Sequence, residues 1–164
     1  MHTCCFTGHR RVPDEDFSLV SQSLRREILR LIREEGIVRF LSGGALGFDT
    51  LAAEAVLEIA ADYPNVSLVI VQPCADQARS WNVDDVRRYG EIMRRANEVV
   101  TLAPTYRPGC MQARNRYLVE NSSVCVCYLT ERSGGTAYTV RYAERLGLPV
   151  VNLAPPRHDL LSGL

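Results

Sequence analysis

An α/β fold, with a mostly parallel sheet of about six strands and helices on both faces, is the architecture this sequence predicts. Three observations predict it. Short apolar runs rich in β-branched residues recur along the chain. Amphipathic stretches of helical period separate them, and Gly-bearing turns follow three of the runs. Alternation of that kind gives an open parallel sheet, whose ligands bind beyond the carboxyl ends of the strands, where strand order reverses.

The strands are expected at residues 2–6, 38–41, 66–71, 98–102, 123–129 and 149–153. Their shortness and composition fit buried strands of a parallel sheet. The first helix is expected over 17–35, with Leu24, Ile28, Leu31 and Ile32 on one face, arginines on the other, and Gly36 ending it. A second is expected over 49–62, ended near Pro64. A third, 84–96, carries Asp84 and Asp85 where a helix dipole favours acids. Helices over 110–121 and 136–146 complete the set, the last closed by Gly147. Residues 1–154 read as one domain, and a tail is expected to leave it from Pro155.

Composition narrows the function. The chain of 164 residues is long enough for one domain with a real core, and 46% apolar residues exclude disorder. No apolar run reaches the length of a membrane helix, and the early first strand leaves no room for a signal peptide, so a cytoplasmic protein is expected. Nineteen basic and nineteen acidic residues give zero net charge, which argues against a dedicated nucleic-acid binder. All the basic residues are arginine. A Walker-type loop and Schiff-base chemistry, which need lysine, are therefore excluded, and any cation at a site is a guanidinium, the better bidentate partner for phosphate. Six cysteines form no C-x-x-C pair, so no metal site is expected. Cys4, Cys5, Cys125 and Cys127 lie inside apolar runs and read as small core residues, while Cys110 opens a helix.

The chemistry sits in the turns. The longest is Ser42-Gly43-Gly44-Ala45-Leu46-Gly47-Phe48-Asp49, between an apolar run and a helix. Strand, glycine turn and helix start together form an anion site, because bare amides point outward at the positive end of the helix dipole. Ser133-Gly134-Gly135-Thr136 repeats the arrangement, and Thr7-Gly8-His9-Arg10 is a shorter version. The expectation is that all three turns meet around one phosphate-containing ligand. Ser42 and Ser133 are either helix caps or donors to a phosphate oxygen. Asp49 is either a helix-start acid or a hydrogen-bonding partner for a ribose hydroxyl or the turn itself. Glu54 reads as a solvated helix residue or a general base. His9 is a turn residue beside Arg10, whose guanidinium suits phosphate. Arg107, Arg114 and Asn115 frame another loop and helix start. Trp81, the sole tryptophan, is a buried loop anchor or a platform for a base, and Tyr106 is a second stacking candidate.

These motifs, with Ala53-Glu54, Pro73, Gln77 and Trp81 before Arg88-Tyr89, and Tyr106-Arg107-Pro108 before Arg114-Asn115, resemble the SLOG superfamily of Rossmann-like domains. The match is to its small YpsA-like branch and runs in order along nearly the whole chain. Parts of the pattern are shared with DprA proteins, which handle single-stranded DNA, and with LOG-type phosphoribohydrolases. The resemblance implies binding of a nucleotide or ADP-ribose-like ligand in a sensing or regulatory role, with no further cofactor required. Its alternative is cleavage of a nucleotide N-glycosidic bond, for which Asp49 and Glu54 are the candidate acids. The Gly-Gly-x-Gly-Thr-x-x-Glu pattern of the LOG type is absent, since Gly134-Gly135-Thr136 is followed by Glu144 only eight residues on. A DprA-like role lacks the expected charge. Pairing of helix faces into a homodimer is compatible with such folds.

Overall fold

The computed structural model describes residues 2–156. Six parallel strands and five helices alternate: β1 (Thr3–Gly8), α1 (Asp14–Glu35), β2 (Arg39–Ser42), α2 (Phe48–Ala60), β3 (Ser67–Gln72), α3 (Val83–Arg95), β4 (Glu98–Thr101), α4 (Cys110–Glu120), β5 (Val124–Tyr128), α5 (Gly135–Arg145) and β6 (Val150–Asn152). The sheet order is β4-β3-β2-β1-β5-β6. The chain therefore steps one way from β1 to β4, then returns to start again at β5 beside β1. That reversal opens a crevice at the β1/β5 carboxyl ends. The expected Rossmann-like α/β fold is the one observed.

Strand side chains alternate between the two faces and build two cores. Cys4, Phe6, Phe40, Leu68, Ile70, Val124, Val126 and Tyr128 pack with α1, α2 and Ile92 of α3. Cys5, Leu41, Val69, Val71, Cys125 and Cys127 pack with Leu118, Val119, Val140 and Ala143 of α4 and α5. The cysteines of β1 and β5 are fully buried free thiols that serve both cores.

The differences from expectation lie at ends and edges. Helix α1 begins at Asp14, three residues before the expected Phe17, because Asp14, Glu15 and Asp16 supply a complete acidic first turn after Pro13. Helix α2 begins at Phe48 with Gly47 at its N-cap, so Asp49 is a first-turn residue and not the cap. Strand β4 is not buried: Glu98, Val99 and Thr101 are exposed, since it is an edge strand with one neighbour. The expected tail lies, beyond Pro156, outside the described residues. No helix among the described residues is long and apolar enough to cross a membrane.

Candidate functional site

A cavity of about 320 Å³ opens at the β1/β5 crevice. Its wall is built from the end of β1 (Thr7 and Gly8, then His9 and Arg10), the α2 turn (Ala45 and Asp49), α4 (Met111, Arg114 and Asn115) and the start of α5 (Gly135 and Thr136). Three Gly-bearing turns distant in sequence do converge. They contribute in different ways.

The turn over 42–49 is closed. The Ser42 hydroxyl is fully buried, accepts the Gly44 N–H at 3.2 Å and donates to the Asp49 carbonyl at 3.0 Å. The Gly43 carbonyl accepts from the Arg114 Nη1 at 2.8 Å and the Gln77 Nε2 at 3.2 Å. A Cβ at Gly43 would run into the Arg114 guanidinium, and one at Gly47, where φ is +83°, into the Arg10 carbonyl. The Phe48 N–H donates to the His9 carbonyl at 3.1 Å, which locks this turn to the β1 loop. Ser42, Gly43 and Gly44 therefore stand behind the cavity wall and aim α2 across it.

The turn over 133–136 is open. Gly134 takes φ +99°, nothing lies within 4 Å of where a Cβ would stand on Gly134 or Gly135, and no side chain caps α5. No acid lies in its first turn. Its free amides and dipole face the cavity at Gly135 and Thr136. Ser133 is exposed and does not line the wall.

The same wall holds Asp49, 6% exposed, with its Oδ1 buried and without a hydrogen-bond partner. Burial pushes its carboxyl up to about 6; the nearby Arg114, the Ala45 amide and Arg10 pull the other way and offset only part of that. Arg114 is 4% exposed and donates through Nε to the Asn115 Oδ1 at 2.9 Å. Burial holds the guanidinium's pKa down, against the Asp49 carboxylate. Arg10 is exposed on the rim. The His9 Nε2 accepts the Thr130 N–H at 2.9 Å, which ties the β1 loop to the end of β5, and its ring meets Tyr128 edge-on at 5.8 Å.

Beyond Arg10 and Met111 a second recess, of about 230 Å³, runs between Trp81, Arg79 and Tyr106. The Arg79 guanidinium lies 4.7 Å over the Tyr106 ring. Trp81 packs on Tyr89 with ring centroids 5.1 Å apart and lines both this recess and another of about 200 Å³. Two predicted residues stand apart: Arg107 is exposed before α4, and Glu54 binds Arg88 on the other side of α2. Neither lines the main cavity. Among the described residues no cluster of His, Cys, Asp and Glu is placed to hold a metal ion.

Sequence reading missed Met111, which lines the cavity, and the buried pair Asp16 and Tyr128 that supports His9. The Tyr128 Oη donates to the Asp16 Oδ2 at 2.6 Å in the layer beneath His9. An acid in a helix first turn and a tyrosine ending a buried strand carry no local signal of such a pairing.

Comparison with known proteins bears on this geometry. A family model described as the YspA SLOG family matches residues 5–147. The chain belongs to the YpsA SLOG family. Similar relatives of this SLOG chain include UPF0398 protein BH1768 of Halalkalibacterium halodurans, 30% identical over 129 residues, covering 77% of this chain and 68% of the relative. A UPF0398 protein of Bacillus thuringiensis is 28% identical over 131 residues, covering 78% and 71%. Among solved structures, DNA processing protein A of Helicobacter pylori, described for its single-stranded DNA binding mode, superposes with a TM-score of 0.65 at 21% identity. That match covers 90% of this chain and 63% of the other, so the SLOG domain spans less than two thirds of the larger protein. DprA of Streptococcus pneumoniae gives 0.61 at 19%, covering 90% and 48%, and the structural-genomics target TM1055 gives 0.57 at 20%, covering 92% and 72%. These likenesses establish a shared fold.

Proposed function

We propose that this SLOG domain binds a nucleotide or nucleotide-derived phosphorylated ligand in the β1/β5 cavity, in a sensing or regulatory role. One observation carries the reading. The uncapped N-terminus of α5 opens onto a cavity that also holds the guanidinium of Arg114 and, at its rim, that of Arg10. Free amides, a helix dipole and two arginines favour a phosphate there. The adjoining recess is lined by Trp81, Tyr106 and the Arg79 guanidinium, side chains of the kinds that stack on a base. The cavity's volume lies at the small end of ligand sites, roughly 300 Å³ upward, and the recess beyond Arg10 extends it.

The test is thermal unfolding of the purified protein against nucleoside mono-, di- and triphosphates, ADP-ribose, dinucleotides and a single-stranded oligonucleotide. A ligand at a hundred times its Kd stabilises by about 2.7 kcal/mol, a rise in Tm of several degrees for a domain of this size. An unchanged Tm with every nucleotide overturns the reading. A rise with the oligonucleotide alone, weakening with salt, places the chain with DNA-handling proteins instead.

Asp49 favours a second reading, cleavage of the ligand's N-glycosidic bond. A carboxyl with a pKa near 6 in a cavity suits general acid–base work. Release of free base from a nucleoside monophosphate, lost in Asp49→Ala, is the expected sign. Binding without release leaves the domain a receptor.

A further inference from the structure

Helix α3 buries only Tyr89 and Ile92 of its 13 residues. One flank is fixed to α2 by the Arg88–Glu54 ion pair. The other flank is bare. Val83, Val86, Gly90 and Arg94 share it by helical spacing, and all four are exposed, Val83 at 72%. The edge strand β4 continues this surface. Val99 is in register with Ile70, whose side chain packs in the core with α1, α2 and α3. Val99 therefore points to the α3 side of the sheet, and it is exposed there. Leu102, exposed just after β4, lies at the same edge. Gly90 stands out on this surface. An exposed glycine in a helix interior weakens the helix, and nothing lies within 4 Å of where its Cβ would be. No neighbour among the described residues calls for a glycine there. A second backbone approaching α3 at that point does.

The charges along α3 say what approaches. Asp84 and Asp85 lie in its first turn and Arg94 and Arg95 in its last, with Arg87 and Glu91 between. Within the chain Arg87 pairs with Asp84 at 3.5 Å and Arg94 with Glu91, all of them exposed. We propose that α3 and the β4 edge form the contact between two copies of this chain, with the two α3 helices antiparallel across a two-fold axis at Gly90. A residue some positions before Gly90 then faces one as many positions after it. Asp84 falls beside the partner's Arg95, and Arg87 beside the partner's Glu91. The helix is complementary to itself in this reversed sense alone, since parallel pairing would set acid against acid. The axis uses each contact twice. At the axis the missing side chain of Gly90 lets the backbones come close, with Val83 and Val86 packed beside them. The same contact covers Val99 and the unpaired edge of β4. None of these residues lines the β1/β5 cavity, so the contact stands or falls apart from the nucleotide reading.

Sedimentation equilibrium of the full chain over a concentration series, at low and at high salt, decides the matter. The expected result is a reversible dimer that weakens as salt rises, because salt screens exposed charges. Gly90→Gln is expected to leave only monomer across the series. Its melting temperature stays at or above that of the unaltered chain, since glutamine is the better helix former. Asp84→Arg and Arg95→Glu each set like charges together twice per dimer, and each is expected to weaken it by about tenfold or more. The chain carrying both changes regains the dimer, because the pair is merely reversed. Thermal melts show that the charge variants are folded, and the unaltered chain needs no variant to give its answer. Monomer at every concentration overturns the inference, whether or not the chain then captures another protein. A dimer that survives Gly90→Gln overturns it too, since another face is then in contact. Weakening by both single changes without recovery in the double one excludes the antiparallel arrangement and overturns it as well.

Discussion

The turn over 42–49 and the turn over 133–136 look alike as sequence, each a Ser-Gly-Gly after a strand and before a helix. In the structure they are opposites. The first is buried, with its hydroxyl, its Gly44 amide and its Gly43 carbonyl all engaged. The second is exposed and uncapped, with empty space where side chains would stand. The difference teaches that a glycine turn can serve a site in two ways. One turn removes side chains so that a neighbour can clamp the backbone and aim an acid. The other removes them so that a ligand can reach the amides.

The largest expected break in this comparison comes from the closed turn. Gly43→Ala forces a methyl into the Arg114 guanidinium and is expected to destabilise by about 3 kcal/mol, the scale of a severe core clash. Urea unfolding measures it, and a loss below about 1 kcal/mol would mean that Arg114 moves aside freely.

Asp49→Asn is expected to act in the opposite direction. The folded pKa of about 6 stands above the ordinary 3.8, so between those values the folded chain holds a proton that the unfolded chain has released. Stability contributed by this group is therefore present at low pH and lost as pH rises through about 6. Above that pH the ionised carboxylate costs the unliganded protein up to about 3 kcal/mol, because each pH interval of one between the two pKa values is worth about 1.4 kcal/mol. Asp49→Asn is expected to stabilise the unliganded protein at pH 7.5 by about 2 kcal/mol and to add little at pH 4. Thermal melts across that range measure the difference, and a gain that does not depend on pH would refute it.

The smallest expected effect comes from the open turn. Gly135→Ala meets nothing and is expected to change stability by less than about 0.5 kcal/mol. Its methyl stands on the cavity wall, so affinity for a nucleoside monophosphate should fall even so. Equal destabilisation by Gly43→Ala and Gly135→Ala would erase the distinction between the turns.

Much of the fold was legible. The alternation of β-branched runs with amphipathic stretches placed all eleven elements, since burial on two faces and on one face leave different periods in a sequence. Edges were not legible in the same way. Residues 98–101 read as a buried strand because Val99 and Val100 look like core, and only strand order shows that β4 has a single neighbour. At the site, Gly8, His9, Arg10, Asp49, Arg114, Asn115, Gly135 and Thr136 were all named from sequence and line one cavity. Ser42, Gly43 and Gly44 were named too and stand behind it, because hydrogen bonds from Arg114 and Gln77, distant in sequence, turn that loop inward.

Sequence alone determined the parallel α/β architecture, the arginine-only cation chemistry and the three Gly-bearing turns, because periodicity, composition and turn residues act locally along the chain. The tertiary structure decided which turn is open, that Arg114 clamps Gly43, and that Asp49 is buried in the cavity wall with an unpaired oxygen. Those features depend on residues dozens of positions apart meeting at the β1/β5 crevice, and on the burial that results. No local pattern carries the loss of solvent that raises the Asp49 carboxyl to about 6.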